Sequence, residues 1–132
     1  MFEGSCLCKA VQYEVSCEPQ PMGHCHCETC RKAHSTAFST VMGVPNESFR
    51  WTKGEDQLSG YESSPGKVRY FCRHCGSQLI ANRDTTDYVL IRVGSIDTPL
   101  TERPKVHFWC SDGASWYDPS EQLPVLPEGV PD

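Results

Sequence analysis

Apolar and polar residues alternate along this chain in short bursts, with a period near two. Val11, Tyr13 and Val15 share one face of the stretch 8–16, which predicts a strand. Strands are predicted likewise over 36–44, stopping at Pro45, and over 48–52, 67–72, 77–82, 88–96 and 105–110. Turn residues separate them, as in SSPGK at 63–67 and NRDTTD at 82–87. Only ETCRKAH, 28–34, lacks strand alternation and is rich in helix formers, so it predicts one short helix or helical turn. There is no repeat and no succession of strands with long helices. The expectation is a mainly β, mainly antiparallel fold with little helix.

A chain of 132 residues suits one domain, here expected over 1–118. Residues 119–132 are proline-rich and acidic and are expected to form an extended surface tail. Ten glycines and ten prolines fit a turn-rich fold of short strands. Apolar runs such as YVLI at 88–91 are far too short to cross a bilayer, so no membrane partner is expected. The amino terminus lacks the basic and then apolar run of a secretory signal, and a cytoplasmic protein is the natural expectation. The formal charge is −5 and no basic run stands out, which argues against a nucleic-acid partner.

Cysteine changes the picture. There are nine, at 6, 8, 17, 25, 27, 30, 72, 75 and 110, and an odd number cannot all pair within one chain. Cys6 and Cys8 form a C-x-C pair, Cys25, Cys27 and Cys30 a C-x-C-x2-C cluster, and Cys72 and Cys75 a C-x2-C pair. Such spacings converge sulfurs on one point more easily than they join them to each other, and a reducing compartment disfavours disulfides. FCRHCGSQL, 71–79, reads as a metal knuckle, in which Gly76 supplies a positive φ that turns backbone N–H groups toward the sulfurs. A closed zinc site needs four ligands. Cys6 and Cys8 supply the missing two, so Cys6, Cys8, Cys72 and Cys75 are expected to hold a structural zinc that closes a long loop.

Cys25, Cys27 and Cys30 then stand apart as three thiolates with an open fourth position, the arrangement of a catalytic or labile zinc. That position could take water, a substrate thiol or a nearby side chain. His24, His26 and His34 lie close in sequence, and Cys110 is a further possible ligand. Cys17 and Cys110 are otherwise expected to be ordinary buried thiols. Seven thiolates and two zinc ions bring the formal charge to about −8, again unsuited to nucleic acid.

GSCLCKAVQYEV, HCHCETCRKAHSTAF followed by VP, and YFCRHCGSQL resemble, in order and spacing, the glutathione-dependent formaldehyde-activating enzyme and centromere protein V family. VHFWCSDGASWYD is similar to that family's closing segment, and the resemblance spans about residues 3–118. It implies a β-tent fold of several small curled antiparallel sheets with zinc knuckles. It implies the same division of the seven cysteines between two zinc ions, with glutathione or substrate at the second. Lys9 and Ser35 depart from the family by standing where it usually has glycine.

The function implied is that of a zinc-dependent carbon–sulfur lyase, similar to an S-(hydroxymethyl)glutathione synthase, acting on a small thiol and an aldehyde such as formaldehyde. Cys25, Cys27 and Cys30 would carry the catalytic metal, with His26 or His34 shuttling the proton. Arg31 and Lys32, and after them Arg73, are the nearest cations for the carboxylates of glutathione. The alternative is a non-catalytic zinc-binding interaction module with both metal sites closed.

Overall fold

The computed structural model describes residues 1–129; the final three residues of the expected tail lie outside them. The strands are β1 (Phe2–Ser5), β2 (Gln12–Val15), β3 (Met22–Cys25), β4 (Ser39–Pro45), β5 (Phe49–Lys53), β6 (Leu58–Ser64), β7 (Lys67–Cys72), β8 (Gln78–Arg83), β9 (Tyr88–Arg92) and β10 (His107–Phe108). The helix α1 spans Glu28–His34. The mostly β expectation holds, with one α-helix among the described residues.

Two sheets carry the strands. The smaller has the order β1-β2-β5 and the larger β10-β3-β4-β9-β8-β7-β6. Every pairing is antiparallel except β10 with β3, which run parallel with His107 opposite His24 and Phe108 opposite Cys25. The alternation that predicted β2 is what builds the core: Val11, Tyr13 and Val15 are all buried, with Met42, Val44, Leu79, Ile80, Val89 and Ile91 from the larger sheet packed into the same cluster. Gly4 of β1 has to be glycine, since a Cβ there would stand 2.2 Å from the Tyr13 ring and 2.7 Å from the Ser95 carbonyl oxygen. The Tyr13 hydroxyl in turn meets Ser95 Oγ at 2.6 Å, which ties the two sheets.

Three strands, β1, β3 and β6, lie outside the predicted set. Each carries glycine and few β-branched residues, so its strand propensity is weak and pairing decides its conformation. The predicted strand at 88–96 ends at Arg92 and passes into a 3-10 turn over Val93–Ser95. That at 105–110 keeps only His107 and Phe108, and a second 3-10 turn follows over Cys110–Asp112. No helix among the described residues is long and apolar enough to cross a membrane.

Lys9 and Ser35 adopt left-handed backbone conformations, with φ of 67° and 54°. These are the two positions where the resembled family usually has glycine, and the reason is now visible. Ser35 terminates α1, its N–H donating to the Arg31 carbonyl. It is exposed and its hydroxyl makes no hydrogen bond among the described residues, so Ser35→Gly relieves strain at little loss. The expected gain is about 1 kcal/mol, seen as a rise in Tm of about 3–5 °C.

Candidate metal centres and substrate site

The four-cysteine site forms where the turn after β1 meets the end of β7. The sulfurs of Cys6, Cys8, Cys72 and Cys75 all lie within 4.8 Å of one another. Cys6 to Cys8 and Cys8 to Cys72 both measure 3.7 Å. A disulfide needs about 2.0 Å, and all nine cysteines are free. Four sulfurs at about 2.3 Å from a zinc ion stand about 3.8 Å apart at the corners of a tetrahedron, so the donor set fits that ion. Backbone amides support the sulfurs: Val11 N–H donates to Cys6 Sγ at 3.3 Å and His74 N–H to Cys72 Sγ at 3.4 Å. Gly76 takes φ of 77°, and its N–H donates to the Cys72 carbonyl. This is the knuckle turn expected of the sequence.

The three-cysteine site forms at the junction of β3 and α1. Cys25 ends β3, Cys27 caps the helix and Cys30 lies one turn in. Cys27 Sγ accepts from the Cys30 N–H at 3.3 Å, as a serine or aspartate cap would. That geometry is what a C-x2-C spacing at a helix start produces, with both sulfurs turned to one point. The three sulfurs lie within 4.8 Å of one another, Cys25 and Cys30 buried and Cys27 half-buried. Among the described residues no histidine, fourth cysteine or carboxylate joins that group. Three soft donors on one side suit zinc with a free position.

Two buried arginines flank the trio. Arg69 of β7 places a terminal nitrogen 3.8 Å from Cys30 Sγ and donates from Nε to Ser63 Oγ at 2.9 Å. Arg92 of β9 donates to Ser39 Oγ at 3.4 Å. Contact with Cys25 first, and then the Arg92 charge working against burial, pull the Cys30 thiol down to about 4, well into the thiolate range. Hydrogen bonding to Cys30 and burial push its partner Cys25 up correspondingly. Sequence reading did not single out these arginines for the site. The signal it offered was a charge within each predicted strand, in VRYF and LIRV.

The neighbouring histidines have other partners. His26 is buried, with Nε2 2.8 Å from Nδ1 of the exposed His107 and its ring stacked on Tyr117. His24 Nδ1 lies 2.8 Å from Thr40 Oγ1. His34 keeps a buried Nε2 with no hydrogen-bond partner among the described residues. Arg31 donates from Nε to the Asp112 carbonyl, Lys32 is exposed and Arg73 donates to the Gln57 side chain. Cys110, expected to be buried, is instead exposed in its 3-10 turn, and Cys17 is half-buried; neither joins a cluster. A cavity of about 800 Å³ is bordered by Cys6 and Ser77 and by His34, Ser39 and Arg92, and none of Cys25, Cys27 and Cys30 lines it.

Comparison with known proteins bears on this arrangement. The sequence model of a family described as "Glutathione-dependent formaldehyde-activating enzyme" matches residues 1–112. An uncharacterized lyase of Schizosaccharomyces pombe is 35% identical over 78 residues, 59% of this chain and 55% of that protein. A Penicillium rubens protein named "Putative glutathione-dependent formaldehyde-activating enzyme" is 26% identical over 116 residues, 86% of this chain and 55% of its own length. A Podospora anserina protein of the same name is 30% identical over 76 residues, 56% of this chain and 36% of its own. The chain thus spans about half or less of the curated relatives it matches. A crystal structure of a Rhodobacter sphaeroides protein superposes with a TM-score of 0.62 at 22% identity, covering 75% of this chain and 91% of that one, and shows a shared fold.

Proposed function

Because this chain belongs to the glutathione-dependent formaldehyde-activating enzyme family, we propose that it is a zinc enzyme that joins or separates a small thiol and an aldehyde at the Cys25, Cys27 and Cys30 site. The observation that carries the reading is the trio itself: three converging sulfurs, no fourth protein donor in the group among the described residues, and two buried arginines alongside. Zinc held there would offer one open position for a substrate sulfur as thiolate. Three thiolates around a divalent ion leave one net negative charge, which Arg69 and Arg92 more than offset. A fourth thiolate, brought by substrate, makes that group of charges neutral, whereas a neutral fourth ligand leaves a buried positive charge.

The chain's own residues have separable tasks. Cys25, Cys27 and Cys30 would hold the metal. Arg69 stabilises Cys30 as thiolate through its 3.8 Å contact. His26 accepts the proton the entering thiol gives up and passes it from Nε2 across 2.8 Å to His107, which is exposed. In the forward direction a sulfur–carbon bond forms as the π bond of the aldehyde breaks, and the aldehyde oxygen takes one proton from solvent, equal to the one the thiol released through His107. No oxidant or reductant is consumed. The four-cysteine site serves the fold and has no step in this scheme.

Cobalt substitution tests the reading. In the Co(II)-loaded chain, a thiol should intensify the sulfur-to-cobalt absorption by the share of one additional sulfur, from one of the two sites only. Exchange NMR on the zinc form should show glutathione and formaldehyde interconverting with their adduct faster than in buffer. An unchanged spectrum and an unaccelerated exchange together would establish two closed sites, and so the interaction module.

A further inference from the structure

Lys9, Lys32, Lys53 and Lys105 are exposed, whereas Lys67, at the start of β7, is half-buried. Its amine makes no hydrogen bond and no ion pair among the described residues. It is not sealed in, since Lys67 lines a cavity of about 70 Å³ with Arg83, Tyr88 and Leu90, and no acid borders that space. Its neighbours are cations instead. Lys67 stands directly opposite Arg83 of β8 in the antiparallel register, a placement in which like charges repel. Arg69 lies two residues further along β7, about 7 Å away on the same face, and is the arginine that reaches Cys30 Sγ at 3.8 Å. Burial first, and then the charges of Arg69 and Arg92, draw the Lys67 ammonium below the usual lysine range; the Cys30 thiolate works the other way and Arg83 adds to the fall. A reachable, uncommitted amine among cations keeps more of its free base and is a nucleophile. The cavity has about the volume that two waters take up in the liquid, which admits an aldehyde of one or two carbons.

We propose that Lys67 captures a small aldehyde as a reversible imine, on the strand face that carries Arg69 to the cysteine trio. The nitrogen lone pair bonds to the aldehyde carbon as the carbonyl π bond breaks. The oxygen then leaves as water with both amine protons, and a C=N bond remains. Water reverses the two steps and returns the aldehyde, and nothing is oxidised or reduced. The inference rests on the function proposed above for the supply of an aldehyde, but the reactivity of the amine depends only on Lys67 and the arginines around it.

Reductive trapping on the zinc-loaded chain tests the proposal. Isotope-labelled formaldehyde, kept below one equivalent and given with cyanoborohydride, leaves methyl groups wherever an imine forms, and peptide mass spectrometry locates them. At pH 7 Lys67 should be labelled about tenfold faster or more than the mean of the four exposed lysines, and its lead should narrow at pH 10, where those four also hold free amine. Arg83→Glu places a carboxylate opposite the amine and should cut the lead severalfold, whereas Arg83→Lys should keep it. Lys67 labelled no faster than the exposed four, or a lead unchanged by Arg83→Glu, would overturn the proposal. Preferred labelling in a chain that does not accelerate thiol–aldehyde exchange would remove the function proposed above and leave the amine standing. Accelerated exchange with Lys67 labelled no faster than the rest would do the reverse.

Discussion

Cys72→Ser is expected to abolish the folded state at 37 °C. Cys72 is wholly buried at the end of β7, with its sulfur 3.7 Å from Cys8, sixty-four positions away in sequence. A structural zinc supplies about 10–16 kcal/mol of apparent binding energy, while a domain of this size is stable by only about 5–15 kcal/mol in all. Serine in place of one thiolate leaves three ligands and a poor fourth, and β1 is then released from β7. The strands bordering the large cavity lose their common anchor at the same time. Circular dichroism on heating, with zinc counted by atomic emission, reads the result: a chain without cooperative melting and with little bound metal. A mutant that melts within a few degrees of the parent would show that the staple is dispensable.

Cys27→Ser has the opposite character. Serine is among the better helix caps, so α1 keeps the bond from the Cys30 N–H that Cys27 Sγ now accepts. Cys27 is half-buried at the edge of its site, and its replacement opens no large cavity. Zinc content should fall from two ions per chain to one, with stability changed by about 1 kcal/mol or less. Acceleration of thiol–aldehyde exchange should fall by about a thousandfold or more, the scale expected when a metal's charge stabilisation of several kcal/mol is lost. Loss of both ions together, or full activity with one, would contradict the division of the seven sulfurs.

What could be read from the chain follows the range of each interaction. The bounds 28–34 for the helix and 67–72 for a strand coincide with α1 and β7, because a cysteine cap and a turn of Ser, Pro and Gly set them locally. The three short cysteine clusters were legible for the same reason, since each lies within six residues, whereas joining Cys6 and Cys8 to Cys72 and Cys75 spans sixty-four positions and drew on the need for four ligands and on the family resemblance. The strands β3 and β6 were not, since MGHC and LSGYESS carry little strand propensity and rely on neighbours in the sheet. The arginines escaped notice because the pairing of β7 with β8 and of β8 with β9 is what sets them beside α1. Arg31 and Lys32 adjoin the trio in sequence, yet helix geometry turns Arg31 toward Asp112 and Lys32 toward solvent. The partner of His26 sits eighty-one positions on, at His107, where no local pattern points.

The lone parallel pairing, β10 beside β3, has a consequence during synthesis. The ribosome releases Cys25, Cys27 and Cys30 long before His107 and Phe108, at about 5–20 residues per second. For several seconds the nascent trio has no β10 beside it, and its thiols face their surroundings without that strand. The four-cysteine group is complete as soon as Cys75 emerges. If both cysteine groups take metal as proposed, loading would be ordered in time, with the four-cysteine group complete before β10 is made to pair with β3.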